Sequence, residues 1–177
     1  MKKLIMIAMI TASLYGNALD RELDRLTECQ QDILFKTYRL ASEYNLQWTM
    51  TAIAWQESRF GKNMIGRTTP DFGVFQISLK SFKARYKKVL KDDKVTEVQM
   101  VRMLLEDYDL NFTASLAEIK YWQHRHNNNY SKIWASYNGG HKGNPVYSAA
   151  IKKKIKALRR YIQRNELAIM VPTTQTD

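Results

Sequence analysis

Helical spacing of apolar residues runs through almost all of this 177-residue chain and is interrupted once, between residues 62 and 78. Only three prolines and seven glycines occur, and so few helix-breaking residues favour a mainly helical chain. The interruption holds a cluster of turn-forming residues, followed by the strand-like sequence Phe-Gly-Val-Phe-Gln-Ile at 72–77. The sequence therefore predicts a mainly α domain with one short β-hairpin or extended loop.

Local start signals divide the helical regions. Thr96 and Gln99 have the spacing of a capping box, and Asn144 before Pro145 is typical of an N-cap with proline in the first helical turn. The Asp-Leu-Asn sequence at 109–111 is expected to bend or divide the long helical run that contains it. The spacing predicts helices over 20–44, 47–60, 78–90, 96–124, 131–137 and 145–164.

The N-terminal residues have the pattern of a secretory signal peptide. Two lysines at 2–3 precede an apolar stretch at 4–14, which is too short to span a bilayer, and small residues at 16–18 suit signal peptidase. A retained membrane anchor is the alternative interpretation. We predict a signal peptide over 1–18 with cleavage after Ala18, one folded domain over 19–171 and a loose tail over 172–177.

Composition limits the kind of partner and the source of stability. The net charge is +11, from 28 Lys and Arg against 17 Asp and Glu, so an exported protein of this kind suits an anionic partner. Cell wall, a membrane surface and nucleic acid all meet that description. The chain has a single cysteine, Cys29, so an internal disulfide is excluded and stability must come from packing.

Glu57 is the residue with the strongest chemical implication. It lies at the end of an apolar helical run and shares a helix face with Met50, Ile53 and Ala54. Burial on such a face disfavours the ionised carboxylate and raises its pKa toward neutrality. A general acid that protonates a glycosidic oxygen needs such a pKa. A solvated glutamate near a helix C-terminus is the ordinary alternative.

Three motifs follow one another in a recognisable order. Glu-Ser at 57–58 is followed by Gly-Val-Phe-Gln-Ile at 73–77 and by Ala-Ser-Tyr-Asn-Gly-Gly at 135–140. A weaker element combines Asn111 with Tyr-Trp at 121–122. Together they resemble the catalytic Glu-Ser, the Gly-Leu-Met-Gln-Ile, the later-helix and the Ala-Tyr-Asn-Ala-Gly motifs of Slt-type lytic transglycosylases, in the lysozyme-like superfamily.

The resemblance covers about residues 40–160 and implies a fold and an activity. The fold would be lysozyme-like, with the short β element beside a cleft. The activity would be cleavage of peptidoglycan between N-acetylmuramic acid and N-acetylglucosamine with formation of a 1,6-anhydro ring. The predicted signal peptide would place this activity in the periplasm. Glu57 would serve first as acid and then as base, and neither a cofactor nor a metal is implied.

The resemblance also assigns roles to residues around Glu57. The Tyr137 hydroxyl would lie near the Glu57 carboxyl, and Asn138 would hold the turn that presents it. The substrate-binding residues carried over are Ser58, Phe75, Gln76 and Asn138. Phe75 and Tyr137 could instead be core aromatics, whereas a buried Gln76 would need hydrogen-bond partners for its amide.

The sequence departs from the family pattern before the Gln motif. The family serine has no certain counterpart here, and Thr68 or Thr69 could replace it. Asp-Phe-Gly at 71–73 resembles the Asp-Tyr-Gly of c-type lysozymes and of specialised transglycosylases that serve secretion, pilus or conjugation complexes. Asp71 is therefore either a second catalytic carboxylate or a turn residue that caps its own backbone. An envelope-spanning complex of this type is the expected protein partner.

Three other functions remain open. A hydrolytic lysozyme would use Glu57 with Asp71, and a non-catalytic wall-binding or assembly protein would use neither. The basic run at 152–160 also permits a nucleic-acid binder, but the interleaved apolar residues favour an amphipathic helix packed on the core, and the export signal argues against nucleic acid. His124 and His126 are two residues apart and do not share a helix face, so no metal site is expected.

Overall fold

The computed structural model of this chain describes residues 18–92 and 94–170. Residues 1–17 of the predicted signal peptide and the predicted tail at 172–177 lie outside that part. The elements are α1 (Ala18–Leu23), α2 (Glu28–Ser42), α3 (Gln47–Ser58), β1 (Asp71–Phe72), β2 (Ile77–Ser78), α4 (Leu79–Arg85), α5 (Lys87–Asp92), α6 (Glu97–Glu106), α7 (Tyr108–Arg125), α8 (Tyr130–Gly139), a 3₁₀ turn (Gly140–Lys142) and α9 (Pro145–Met170). The prediction of a mainly α fold with one short hairpin is confirmed.

Side-chain caps fix several helix starts. The predicted capping box at Thr96 and Gln99 is present and opens α6. Asn144 accepts a hydrogen bond from the backbone N–H of Tyr147 (3.1 Å), so the predicted N-cap of α9 is also confirmed. These caps satisfy backbone donors that the first helical turn leaves unpaired.

Two predicted helices, over 20–44 and 78–90, contain a break that apolar spacing does not show, and the run over 96–124 is divided as expected. The helix predicted over 20–44 is divided, since Thr27 forms a capping box with Gln30 and opens α2 there. The run over 96–124 is divided at Asp107, two residues before the expected position at 109–111, and the Asp107 carboxylate accepts from the backbone N–H of Leu110 at 2.9 Å. The helix predicted over 78–90 is likewise two helices, with the break at Tyr86. The last helix, by contrast, continues beyond residue 164 to Met170.

Helix α3 lies at the centre of the core. Thr49–Trp55 are buried without interruption, and the helix packs against α2 on one side and α9 on the other. Polar side chains in this buried stretch have no access to solvent: Thr49 Oγ1 accepts from Trp134 Nε1 at 3.3 Å, whereas Thr51 Oγ1 has no hydrogen-bond partner among the described residues. Full burial of each large apolar side chain stabilises the fold by about 1.5–3 kcal/mol.

Helix α9 has the amphipathic character that its sequence predicted. Ile151 and Leu158 are buried, whereas Lys152, Lys153 and Lys156 are exposed. It packs against α1, α3 and α8, so its apolar stripe closes the core. Within residues 18–92 and 94–170, no helix combines the length and the apolar composition that a membrane crossing requires.

The hairpin is fastened to α7 by one buried side chain. β1 and β2 pair antiparallel, with Phe72 opposite Ile77. Asn111 donates from Nδ2 to the Phe72 carbonyl and accepts from the Phe75 backbone N–H, both at 2.9 Å. At Gly73, where φ is +84°, an added Cβ would lie 2.2 Å from Asn111 Nδ2. Only glycine permits both that backbone conformation and that close approach.

Candidate active site

A cleft of about 240 Å³ opens between the hairpin, α4, α7 and α8. Helix α3 contributes to it through its C-terminal end, where Glu57 lies. The polar lining of the cleft includes Glu57, Asp71, Gln76, Arg85, Glu118 and Asn138. Residues from three of the sequence motifs are therefore brought together, although they are spread from position 57 to position 140 of the chain.

Ser58, the residue after Glu57, ends the helix and is fully buried. Its Oγ donates to the Ala54 carbonyl (3.2 Å) and accepts from the Gly61 backbone N–H (2.8 Å). Arg59 then takes a left-handed conformation, with φ of 52°, and terminates α3. The expectation that Ser58 binds substrate is therefore wrong. Its hydroxyl stabilises the turn that fixes the position of Glu57.

The Glu57 carboxyl has the pKa of a general acid. Burial raises its pKa and the hydrogen bond from Tyr147 lowers it, and the net result is a rise from 4.5 to about 7. The negative charge of Asp71 acts in the same direction as burial. A helix C-terminus also disfavours a nearby negative charge. A substantial fraction of Glu57 is consequently protonated at neutral pH, as expected for a carboxyl on an apolar helix face.

Tyr147, rather than Tyr137, donates a hydrogen bond to Glu57. The distance from the Tyr147 hydroxyl to Glu57 Oε1 is 2.5 Å. The Tyr137 hydroxyl donates to the Phe75 carbonyl (3.0 Å), and its other partner is Ser115 Oγ at 2.9 Å. Because a phenol has one proton, Ser115 is the donor in that second bond. The Tyr137 hydroxyl, expected near the Glu57 carboxyl, belongs to a side chain that lines the same cleft and that the Glu57 charge affects, but the hydroxyl that bonds directly to Glu57 is that of Tyr147, on α9.

The two tyrosine rings nevertheless form one unit beside the acid. Tyr137 and Tyr147 stack with centroids 6.4 Å apart and an interplanar angle of 22°. Burial raises the pKa of both phenols well above the ordinary value, and the negative charge of Glu57 adds to this. Both hydroxyls therefore keep their protons over the neutral range. Tyr137 holds Tyr147 in place through ring contact.

Tyr147 was missed because it belongs to no motif. The signal that could have identified it is the apolar stripe of α9, to which the buried Ile151 and Leu158 belong. Extending that stripe back by one turn places Tyr147 on the buried face, near the N-cap Asn144.

Phe75 lies in the core and not in the glycan groove. Its side chain is fully buried and packs against the rings of Phe112 (5.8 Å) and Tyr108 (6.1 Å). The alternative that Phe75 is a core aromatic is therefore correct, and its assignment to substrate binding is wrong. Its backbone still serves the site, since its carbonyl accepts from Tyr137 and its N–H donates to Asn111.

Gln76 lines the cleft in a left-handed conformation with φ of 48°. Its Nε2 donates to the Gly73 carbonyl at 2.9 Å and to the Asn63 carbonyl at 3.3 Å. On the opposite wall, the exposed Asn138 accepts from Asn144 Nδ2 at 2.7 Å. The two amides thus occupy the cleft that the resemblance assigned to them.

Asp71 also lines the cleft, at the start of β1. The Thr69 hydroxyl donates to one of its carboxylate oxygens. Thr69, one of the two candidates for the family serine, therefore contacts this second carboxylate. The negative charge of Asp71 raises the pKa of Glu57.

Two further ionic residues of the cleft were not anticipated from the sequence. Arg85, at the end of α4, forms an ion pair with Glu118 of α7. Trp122 donates from Nε1 to the other Glu118 oxygen at 2.6 Å. In the neighbourhood, His126 bonds through Nε2 to Ser136 Oγ at 2.9 Å. Across the described residues, no group of three or more His, Cys, Asp and Glu side chains is placed to hold a metal ion.

The arrangement provides a proton donor beside a polar groove. A protonated carboxylic acid at the cleft wall can give its proton to a leaving oxygen, and the resulting carboxylate can accept a proton from an attacking hydroxyl. The Tyr147 hydroxyl stabilises that carboxylate when it forms. The site can therefore support cleavage of a glycosidic bond by one residue that acts twice.

Comparison with known proteins assigns the chain to a family. Residues 34–159 match the Transglycosylase SLT domain family. A protein of Enterobacteria phage T4, described as an uncharacterized 20.7 kDa protein in the vs-regB intergenic region, is 25% identical over 186 aligned residues, which cover 97% of this chain and 99% of that protein. No solved structure matches the chain significantly. With its mostly helical, lysozyme-like fold and its short two-stranded sheet, this chain belongs to the SLT-domain transglycosylases, a family that acts on peptidoglycan.

Proposed function

We propose that this protein is a lytic transglycosylase that cleaves the β-1,4 bond between N-acetylmuramic acid and N-acetylglucosamine and leaves a 1,6-anhydro-N-acetylmuramic acid end. One observation carries the proposal. Glu57, in the family's catalytic position, lines a cleft with a pKa raised to about 7. That pKa lets the same group act as acid and as base near neutral pH.

The reaction proceeds in two proton transfers through Glu57. In the first, the carboxylic acid protonates the glycosidic oxygen while the bond from that oxygen to the anomeric carbon breaks, and the bonding electrons leave with the oxygen. In the second, the C6 hydroxyl oxygen of the muramic acid attacks the anomeric carbon, and its proton passes to the Glu57 carboxylate. The acid is regenerated and no water is consumed.

Two neighbours adjust the balance between these steps. The hydrogen bond from Tyr147 stabilises the carboxylate that exists between the two transfers. The charge of Asp71 and the burial of Glu57 favour the protonated form that begins the cycle. The opposing effects keep the pKa between the value of an ordinary carboxylic acid and that of a fully buried one.

The test is mass spectrometry of soluble products released from purified peptidoglycan. Transglycosylase products are lighter by one water than reducing-end products, and they resist borohydride reduction. We expect anhydro ends from the wild-type protein and no release by a folded Glu57→Gln variant. Products that borohydride reduces would contradict the proposal and support hydrolysis. Near wild-type release by Glu57→Gln would show that cleavage does not depend on this acid. No release by the wild-type protein would support the non-catalytic wall-binding or assembly protein.

A hydrolytic lysozyme is the second candidate, because Asp71 lines the same cleft as Glu57. In that reaction Asp71 would act as nucleophile or would stabilise the cationic sugar. The match of residues 34–159 to a transglycosylase family favours the first proposal.

Export to the periplasm forms part of the proposal, since the substrate lies outside the cytoplasm. The support is the charged, apolar and small-residue pattern at 1–18. N-terminal sequencing of the protein recovered from a periplasmic fraction tests it, and Leu19 is the expected first residue. Association with an envelope-spanning secretion, pilus or conjugation complex remains a prediction from the resemblance.

A further inference from the structure

Acidic residues outnumber basic residues among the described residues that line the cleft. Among the described residues that line it, three are acidic, namely Glu57, Asp71 and Glu118, and one is a cation, Arg85. This contrasts with the protein as a whole, whose net charge is +11. An anionic group of a substrate would be repelled along most of the cleft and attracted at one point.

Arg85 is held at that point by its neighbours on the opposite wall. Glu118 accepts from Nη2 of Arg85 with one oxygen and from Nε1 of Trp122 with the other. Both carboxylate oxygens of Glu118 are thus occupied. A guanidinium has five N–H donors, and the ion pair in the described part of the chain engages one of its nitrogens. Arg85 therefore retains donors for a second acceptor.

Exposure shows that this acceptor can come from the cleft. The side chains of Arg85 and Glu118 are 31% and 25% exposed. A partly exposed ion pair contributes little to stability, so stability alone does not account for a charged pair in this position. An oriented guanidinium in a groove is well suited to bind a carboxylate with charge-assisted hydrogen bonds.

The proposed substrate carries such carboxylates. Each muramic acid has a lactyl group, which ends in a free carboxylate when unsubstituted and bears a peptide with its own carboxylates when substituted. The N-acetylglucosamine units are neutral. We infer that Arg85, oriented by Glu118, binds a carboxylate of the muramyl unit and so selects charged muramyl strands over neutral glycan. This inference rests on the proposed function.

The test compares two forms of one substrate with the full-length enzyme. One form is purified glycan strands with free carboxylates, and the other is the same strands after carbodiimide coupling to methylamine, which neutralises them. The wild-type enzyme should lose about tenfold to a hundredfold in kcat/KM on the neutralised strands, mainly through KM. Arg85→Gln should act equally on both forms, at the level of the wild type on neutralised strands. The inference is overturned if Arg85→Gln lowers kcat/KM relative to the wild type by the same factor on both forms, or if it lowers kcat/KM on neither form.

Two sources of the carboxylate are separated by stripping the peptides with an amidase. Stripped strands offer lactyl carboxylates alone. If the difference between wild type and Arg85→Gln persists on them, the lactyl group is the ligand. If it appears only with peptide-bearing strands, the ligand is a carboxylate of the peptide. Both outcomes support binding at Arg85, and absence of the difference from both substrates contradicts it.

Control variants isolate the cation in the cleft. Lys83→Gln removes the same charge from the same helix and breaks a similar ion pair, with Glu97, away from the cleft. Its preference for charged strands should equal that of the wild type. The Arg85→Gln/Glu118→Gln double variant removes the carboxylate that the single variant leaves unpaired. If the double variant recovers the preference, repulsion by Glu118 explains the single variant and the inference fails.

Failure of the proposed function gives a different result. In that case the wild-type enzyme produces no anhydro ends from any of these strands. A wild-type enzyme that produces anhydro ends but shows no dependence on substrate charge contradicts the role of Arg85 alone.

Discussion

The hydroxyl of Tyr147 lies 2.5 Å from Oε1 of Glu57, although the two residues are 90 positions apart. The contact joins the C-terminal end of α3 to the first turn of α9. Burial keeps the Tyr147 hydroxyl protonated by raising its pKa well above the ordinary value. It therefore donates to Glu57 over the neutral pH range, and the strength of the acid depends on how these two helices pack.

Replacing Tyr147 by Phe should raise the pKa of Glu57 further. The variant keeps the ring and loses the hydrogen bond that stabilises the carboxylate, a change that corresponds to up to about one pKa unit. Because the first step needs the protonated acid, kcat/KM falls as the pH rises through this pKa. The pH profile of kcat/KM should show its alkaline limb displaced to higher pH. An unchanged limb would show that the hydrogen bond from Tyr147 does not change the pKa of Glu57 in the free enzyme.

Tyr137→Phe should have a different effect, since its hydroxyl is bonded away from Glu57. The variant leaves the Phe75 carbonyl and the Ser115 hydroxyl without their partner in a buried position. We expect a loss of about 1–3 kcal/mol in the free energy of unfolding, measured by chemical denaturation. The alkaline limb should stay where it is in the wild type. A displaced limb with unchanged stability would show that the Tyr137 hydroxyl affects the pKa of Glu57.

The difference between these two tyrosines shows where sequence information ends. Glu57 could be predicted because its helix, its apolar face and its motif are local. Tyr147 could not, because its contact depends on how α9 crosses α3. Phe75 was misassigned since the left-handed backbone at Gly73 and Gln76 decides which side chain faces the cleft.

Helix boundaries show a similar limit. The caps at Thr96 and Asn144 could be predicted from the capping-box spacing of Thr96 with Gln99 and from the proline that follows Asn144. The cap at Thr27 is of the same kind as the one at Thr96, but helical spacing continues across it from Leu23 to Ile33, which concealed the break. Periodicity reports which residues are buried, and consecutive helices that pack on one core can share a period.

Glu57→Gln should change stability in a pH-dependent way. The carboxyl has a pKa of about 7 in the folded protein and an ordinary value of 4.5, so the folded state binds more protons between these values. The free energy of unfolding of the wild type therefore falls as the pH rises through this window. Gln resembles the protonated acid at every pH. The variant should match the wild type at pH 4 and exceed it at pH 9, by up to about 3 kcal/mol.

Chemical denaturation of both proteins at the two pH values measures this difference, since all other groups are shared. Glu43→Gln is the matched control, because Glu43 is an exposed residue of the same type. Its stability difference from the wild type should not vary in this way. A constant difference between Glu57→Gln and the wild type would show that Glu57 ionises normally in the folded protein.

Asp71→Asn should displace the alkaline limb in the direction opposite to Tyr147→Phe. The negative charge of Asp71 raises the pKa of Glu57, so its removal lowers that pKa and moves the limb to lower pH. Below the limb, a transglycosylase that uses Glu57 alone should lose less than about tenfold in kcat, because no covalent or cationic partner is removed. A lysozyme that needs Asp71 as nucleophile should lose about a hundredfold or more in kcat at every pH.

Thr69→Val is the control, since it removes the hydroxyl that donates to Asp71 and keeps the charge. Suppose that the limb moves in opposite directions in Tyr147→Phe and Asp71→Asn and that both variants form anhydro products. Glu57 is then the single acid, and its pKa is set by these two neighbours. A severe defect confined to Asp71→Asn would instead assign Asp71 a direct part in the reaction.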